Sequence, residues 1–341
     1  MVTNSVLPGC SPERINDPAA ILWCFERTVD PPSGHNDQVT AYLSPSGASL
    51  WKQCPRRWWF RYVEGLPEPP PGEPAVMGTF VHKVLEDLLA LAPADRTPEA
   101  ARQIATEYFA SFSERGDFQA LGFDEAATRR FKHKAWTAIS AYFAEFAPTE
   151  VDPVHQEMRV RAEVAGVPFF GIIDLLERDG SVGGDAVIVT DYKTGTPPDT
   201  TKPWSAEQNA EKLLQPMWYA AALMEMGEHT PTLARLLYFT AAETADGGLV
   251  GRTGKLSATV DDDALGAARV ELALRWRQIG EAQETGSAEA KPGVLCGWCP
   301  FVTHCAEGEA EVRRLHGETN RRTGQPRMRA DAPAVVELGL S

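Results

Sequence analysis

Two short stretches place acids and a base where strands should end. Gly171-Ile172-Ile173-Asp174 and Val187-Ile188-Val189-Thr190-Asp191-Tyr192-Lys193-Thr194-Gly195 each read as an apolar strand that delivers charge at its end. The first presents one carboxylate and the second presents Asp-x-Lys. If the strands are antiparallel neighbours, the two carboxylates come within the span of one metal ion. Hard oxygen ligands of this kind suit Mg²⁺ or Mn²⁺. Side chains alternate along a strand, so positions 191 and 193 share a face. Lys193 then points into the site beside Asp191, where it can position or help deprotonate an attacking water and offset phosphate charge. A bound cation would add Lewis-acid polarisation and a more acidic water. Asp-x-Lys alone is a short motif, and two strand-end aspartates with a salt-bridged lysine would look the same, so its companions decide.

The companions are spread along the chain. His82 ends Gly78-Thr79-Phe80-Val81-His82 at the opening of an amphipathic helix. Gln215 and Tyr219, in Gln215-Pro216-Met217-Trp218-Tyr219, are one helical turn apart and share a face. Glu157, on the strand before Asp174, is a candidate accessory acid. Six cysteines sit at 10, 24, 54, 296, 299 and 305. The last three form a C-x₂-C-x₅-C run, and with Cys54 they would supply four thiolates, which suit a [4Fe–4S] cluster or a tetrahedral zinc. Spacing alone neither chooses between these nor pairs Cys54 with the trio. Cys10 and Cys24 have no partner pattern, and His304 is a stand-in ligand at most.

The elements that must position these residues follow from periodicity. Ser44-Pro45-Ser46 reads as a capped helix start, followed by the aromatic and basic run 49–62. A Pro-rich linker (67–74) precedes the helix carrying His82, expected to reach about Leu91. Further helices are expected over 98–114 and 124–146. Over 154–193 the period becomes two, with Met158, Val160, Ala162 and Val164 alternating with charged residues. The strands expected there are one turning at Gly166, then 168–176 and 186–193. A helix over 206–226, a strand over 233–241, a Gly-rich hairpin over 246–258 and a helix begun by Asp261-Asp262-Asp263 complete the pattern. Gly251-Arg252-Thr253-Gly254-Lys255-Leu256-Ser257 fails the phosphate-loop pattern and reads as a plain turn.

The chain has 341 residues, 43% apolar and 23% charged, with a net charge of −14. That acidity excludes a sequence-blind coating of nucleic acid, which needs a cationic surface. It leaves room for a local basic groove. Lys52, Arg56, Arg57 and Arg61 interleave with Trp51, Trp58, Trp59 and Tyr62, with no acid between Ser44 and Val63. Such a mix holds a nucleic-acid backbone while stacking bases. Lys52, Arg56, Arg57, Trp58 and Arg61 are therefore the DNA-binding candidates. Arg129, Arg130, Lys132 and Lys134 form a second patch, and a third, Arg313 to Arg329, reads as a solvated tail. No apolar run reaches a membrane span and the N-terminus lacks a signal pattern, so a cytoplasmic protein is expected. Residues 1–43 read as a weakly ordered extension, 44–316 as one domain and 317–341 as a disordered tail.

In order and spacing, these motifs from about Ser44 to Cys305 resemble the RecB-type branch of the PD-(D/E)xK nuclease superfamily. The resemblance implies a restriction-endonuclease-like α/β core, a mixed central sheet flanked by helices, with a helical insertion after His82. It implies a metal-dependent DNA nuclease, favouring an exonuclease on single-stranded ends, in DNA repair or recombination. Asp174, Asp191, Lys193, Gln215 and Tyr219 would be the catalytic set, with His82 and the Tyr192 carbonyl joining Asp174 and Asp191 around Mg²⁺ or Mn²⁺. One early cysteine and a later C-x₂-C-x₅-C match the iron–sulfur members, similar to the AddB-type helicase–nuclease subunits and the CRISPR-associated iron–sulfur exonucleases. The resemblance thus implies a [4Fe–4S] cluster on Cys54, Cys296, Cys299 and Cys305. Such a staple would close a very long loop and restrict the unfolded chain strongly. A DNA-binding or scaffold subunit, active only with a helicase partner, is the alternative.

Overall fold

A computed structural model describes residues 41–316. The expectations for residues 1–40 and 317–341, including Cys10, Cys24 and the basic tail beyond His316, lie outside the described residues. Those described belong to a single compact unit.

The sheet is where the alternating stretches meet. β1 (Pro153–Val164) and β2 (Val167–Arg178) form an antiparallel hairpin through Ala165 and Gly166, whose φ values of 51° and 75° suit a tight turn that matches strand twist. β3 (Ala186–Lys193) pairs antiparallel with β2 and parallel with β4 (Thr230–Glu243). β4 pairs antiparallel with β5 (Leu249–Thr259), giving the order β1-β2-β3-β4-β5. The Gly251–Ser257 stretch is thus a strand rather than the expected turn. Parallel neighbours need a crossover, which is the helix running from Ala206 to Met226. Leu43, expected in the loose extension, instead bridges to Phe169 and is buried.

Nine helices flank the sheet among the described residues. They are α1 (Pro45–Gln53), α2 (Pro55–Tyr62), α3 (Glu73–Leu89), α4 (Pro98–Phe112), α5 (Gly116–Gln119), α6 (Glu125–Glu145), α7 (Ala206–Met226), α8 (Asp262–Thr285) and α9 (Ala306–His316). Caps explain four of the nine starts: Ser44, Thr97, Asp124 and Asp261 each accept a backbone N–H from the first turn. α3 begins earlier than expected, because Pro74 sits in its first turn, where a missing N–H costs nothing. Pro55 breaks the aromatic run into two helices and holds Cys54 extended between them. One apolar core packs α1, α7 and α8 on the sheet, and another packs α3, α4 and α6. No helix among the described residues is long and apolar enough to cross a membrane.

Candidate active site

The β2–β3 ladder ends at Leu175↔Thr190, and Asp174 and Asp191 occupy the next step, where the strands part. The Tyr192 N–H donates to Asp174 Oδ2 at 2.7 Å. Alternation turns Asp191 and Lys193 to one face, with Lys193 Nζ 2.7 Å from Asp191 Oδ2, and sends the Tyr192 ring into the α3–α6 core. Gln215 on α7 locks the pair. Its Nε2 donates to Asp191 Oδ1 at 2.6 Å, and its Oε1 accepts from Lys193 at 3.0 Å. Tyr219, one turn on, lies 3.5 Å from the Gln215 amide. Its ring fits over the sheet because Gly171 has no side chain: a Cβ there would overlap Tyr219 Cε1.

α3 brings His82 to the same place from the other side. Gly78, on the face shared by His82, lets the end of β3 come close, since a Cβ would sit 3.3 Å from Thr194 Oγ1. His82 Nδ1 is 3.6 Å from Asp174 Oδ2, and the imidazole also hydrogen-bonds to the Tyr192 backbone. Glu157 lies opposite Asp174 in the β1–β2 register, with a left-handed φ of 48°. Such a conformation costs a non-glycine residue about 1–3 kcal/mol and clusters at functional sites. Among the described residues, His82, Glu157 and Asp174 are the one set of three whose ligand atoms all lie within 4.8 Å of one another. Asp191 stands just outside this trio, turned to Lys193 and Gln215.

The electrostatics favour a cation. Burial pushes the Asp174 carboxyl up to about 7, against the pull of the Tyr192 N–H. Burial and then the charge of Asp174 push Asp191 up to about 6, with Lys193 pulling it back. Burial also raises Glu157 and lowers His82. Asp191 Oδ2 is buried with no hydrogen bond of good geometry, although the Lys193 ammonium is close. Adjacent buried carboxylates that resist ionisation make a donor set that a hard divalent ion would satisfy.

Cys54, Cys296, Cys299 and Cys305 line one cavity, together with Arg56, Arg57 and Lys291. Backbone N–H groups are aimed at three of the four sulfurs. Gly293 donates to Cys296 at 3.4 Å, Gly308 to Cys305 at 3.3 Å, and Phe301 to Cys299. A Cβ on Gly308 would crowd Cys305 Sγ at 3.2 Å. Such bonds favour thiolate over thiol, whereas burial and the neighbouring cysteines push Cys299 and Cys305 up. Coordination of the thiolates by a metal would relieve that conflict. Four cysteines on one cavity make a donor set of the kind that holds a soft metal centre. His304 is exposed and does not line the cavity.

The expected DNA groove needs correction. Trp58 is 1% exposed and packs edge-to-face on Trp51 at 5.3 Å, so it is a core side chain rather than a stacking platform. Arg56 Nε donates to the Ala288 carbonyl at 2.5 Å, and Arg61 lies 3.5 Å from Glu68. Lys52 is an exposed cation. The second patch is internally satisfied: Arg129 pairs with Glu125, Arg130 and Lys134 pair with Glu243, and Lys132 lies over Phe109.

Against known proteins, residues 42–306 match the sequence profile of the PD-(D/E)XK nuclease superfamily. The chain belongs to that superfamily. The match spans the site from α3 to α7 and reaches past the last cysteine of the cavity. Among solved structures, a candidate exonuclease from Eubacterium rectale is similar at 12% identity, covering 77% of this chain and 93% of that one with a TM-score of 0.44. A search of curated proteins finds no significant match. Three features escaped sequence reading: the role of Gly171, the left-handed backbone of Glu157, and the N–H groups around the sulfurs. Gly171 and Gly308 were visible as residues, but only the packed structure shows what a side chain there would strike.

Proposed function

We propose that this chain is a Mg²⁺- or Mn²⁺-dependent deoxyribonuclease of the RecB-type branch, acting on single-stranded DNA ends in repair or recombination. The observation that carries this reading is the Asp191–Lys193–Gln215 network set against Asp174 and His82 where β2 and β3 part. His82, Asp174, Asp191 and the Tyr192 carbonyl would hold the ion, with Glu157 as an accessory acid. When bound, the ion supplies Lewis-acid polarisation of the phosphate and acidifies water. Lys193 orients the attacking water and offsets charge on the scissile phosphate. Gln215 keeps Lys193 and Asp191 in register, and Tyr219 fixes Gln215 against β2.

The same reading assigns a [4Fe–4S] cluster to Cys54, Cys296, Cys299 and Cys305. Support comes from their shared cavity and from N–H donors aimed at sulfur. The cluster would staple α1 and α2 to the segment before α9.

The test is digestion of DNA labelled at either end, single- or double-stranded, by protein purified without air. Release of label that needs Mg²⁺ or Mn²⁺, stops with chelator and is faster on single strands is expected. Intact DNA under all these conditions would sink the enzymatic reading. Cleavage that appears only with a helicase present would favour the subunit alternative.

A further inference from the structure

Arg57, a DNA-contact candidate in the basic run, turns toward the cysteines. Its side chain lines the cysteine cavity, its Nη1 is held by Gln53 Oε1 at 3.1 Å, and its Nε is buried with no hydrogen-bond partner. A buried charged donor without an acceptor is costly, and such groups in folded proteins call for an explanation. The other charged groups there are committed. Arg56 spends its Nε on the Ala288 carbonyl and faces Glu307. Lys291 donates to the Lys52 carbonyl at 3.2 Å. Glu307 lies 3.7 Å from Cys305 Sγ. Arg57 also pulls the Cys299 thiol down, so its charge is felt at sulfur.

We propose that Arg57 is a positioning residue for the iron–sulfur cluster: its Nε–H donates to a cluster or cysteinyl sulfur, and its charge favours the reduced state. The proposal rests on the [4Fe–4S] assignment above. Reduction adds one electron from an external reductant to the cluster, with no bond broken and no proton required. The reduced cluster is more negative by one charge, so a half-buried cation beside it and a hydrogen bond from its buried Nε to sulfur both stabilise it and raise the potential.

The experiment compares wild type, Arg57→Gln, Arg57→Lys and Lys52→Gln, each as the full chain purified without air. Iron and sulfide content, the visible spectrum and the potential under dithionite titration are measured, with affinity for a single-stranded oligonucleotide. Arg57→Gln is expected to shift the one-electron reduction equilibrium about tenfold towards the oxidised cluster, a potential lower by about 59 mV. Arg57→Lys should recover part of the shift, and Lys52→Gln should leave the potential unchanged. Loss of the cluster from folded Arg57→Gln, with retention in Arg57→Lys, also supports the proposal. An unchanged potential in Arg57→Gln overturns it, and weakened DNA binding with that result returns Arg57 to the DNA. Wild type without iron overturns the cluster assignment itself, and the proposal with it.

Discussion

Gly171→Ala tests the placement of the site helix, because the damage should come from one side chain. An alanine Cβ at 171 would overlap Tyr219 Cε1 and stand 3.3 Å from both Cζ and Oη. Tyr219 is 4% exposed and packs on Phe169, so its ring has little room to retreat. Overpacking of this kind costs about 1–3 kcal/mol. Tyr219→Ala alone costs about 3–5 kcal/mol as a buried aromatic truncation. With the ring gone, Gly171→Ala meets no clash, and position 171 lacks a positive φ. There it should be neutral or stabilise by about 0.4–1 kcal/mol through the unfolded chain. The two substitutions should therefore couple by about 2–3 kcal/mol, within the range for residues in contact. Urea unfolding of the four proteins in chelator, followed by far-UV circular dichroism, measures this. Additivity within about 0.5 kcal/mol would refute the packing of Tyr219 on Gly171.

Other consequences follow from the buried charges. The Asp174 carboxyl is raised from 3.8 to about 7 by burial, about 3 units at 1.36 kcal/mol each, or up to about 4 kcal/mol. A raised folded pKa gives stability that is present below the unfolded value and lost as pH rises through the folded one. Metal-free Asp174→Asn should thus be more stable than wild type at pH 8 and gain nothing near pH 4, as read by urea unfolding; no gain at pH 8 contradicts the burial argument. Glu177 is buried against Arg235, and both contact the Thr190 hydroxyl. Glu177→Gln leaves the Arg235 charge without its counter-ion and should cost about 3–5 kcal/mol. Its cleavage rate per folded molecule should match wild type, and a rate loss would place this network in the site.

Local signals make some parts of the molecule legible in the sequence. β3 and α7 match their expected ranges, because an apolar strand run bounded by glycines and a long amphipathic stretch leave few alternatives. Asp191 and Lys193 share a strand face and Gln215 and Tyr219 a helix face as their spacing implies, and that the two pairs meet is what the family resemblance implies. Long-range packing is less legible. The run from Trp51 to Tyr62 looks like a surface for nucleic acid, yet Trp51 and Trp58 turn into the core and Arg57 faces the cysteines. Composition records that these residues are together, not which way a helix broken at Pro55 turns them. Glu157 is visible as an acid on a strand. Its left-handed backbone, which sets it beside His82 and Asp174, depends on the register with β2. The Gly251–Lys255 segment resembles a loop because its glycines outweigh its alternation, and pairing with β4 makes it a strand.

The central claim is that this site hydrolyses phosphodiesters through Asp191 and Lys193 with a divalent ion. Single-turnover cleavage of an end-labelled single strand, by wild type and Asp191→Asn at saturating Mn²⁺, tests it most directly. Asp191→Asn keeps size and fold while removing the carboxylate charge. A rate lower by about 10³-fold or more is predicted, on the scale expected when a charge-stabilising or acid–base group at the reacting centre is lost. Cleavage by Asp191→Asn at the wild-type rate would contradict the account.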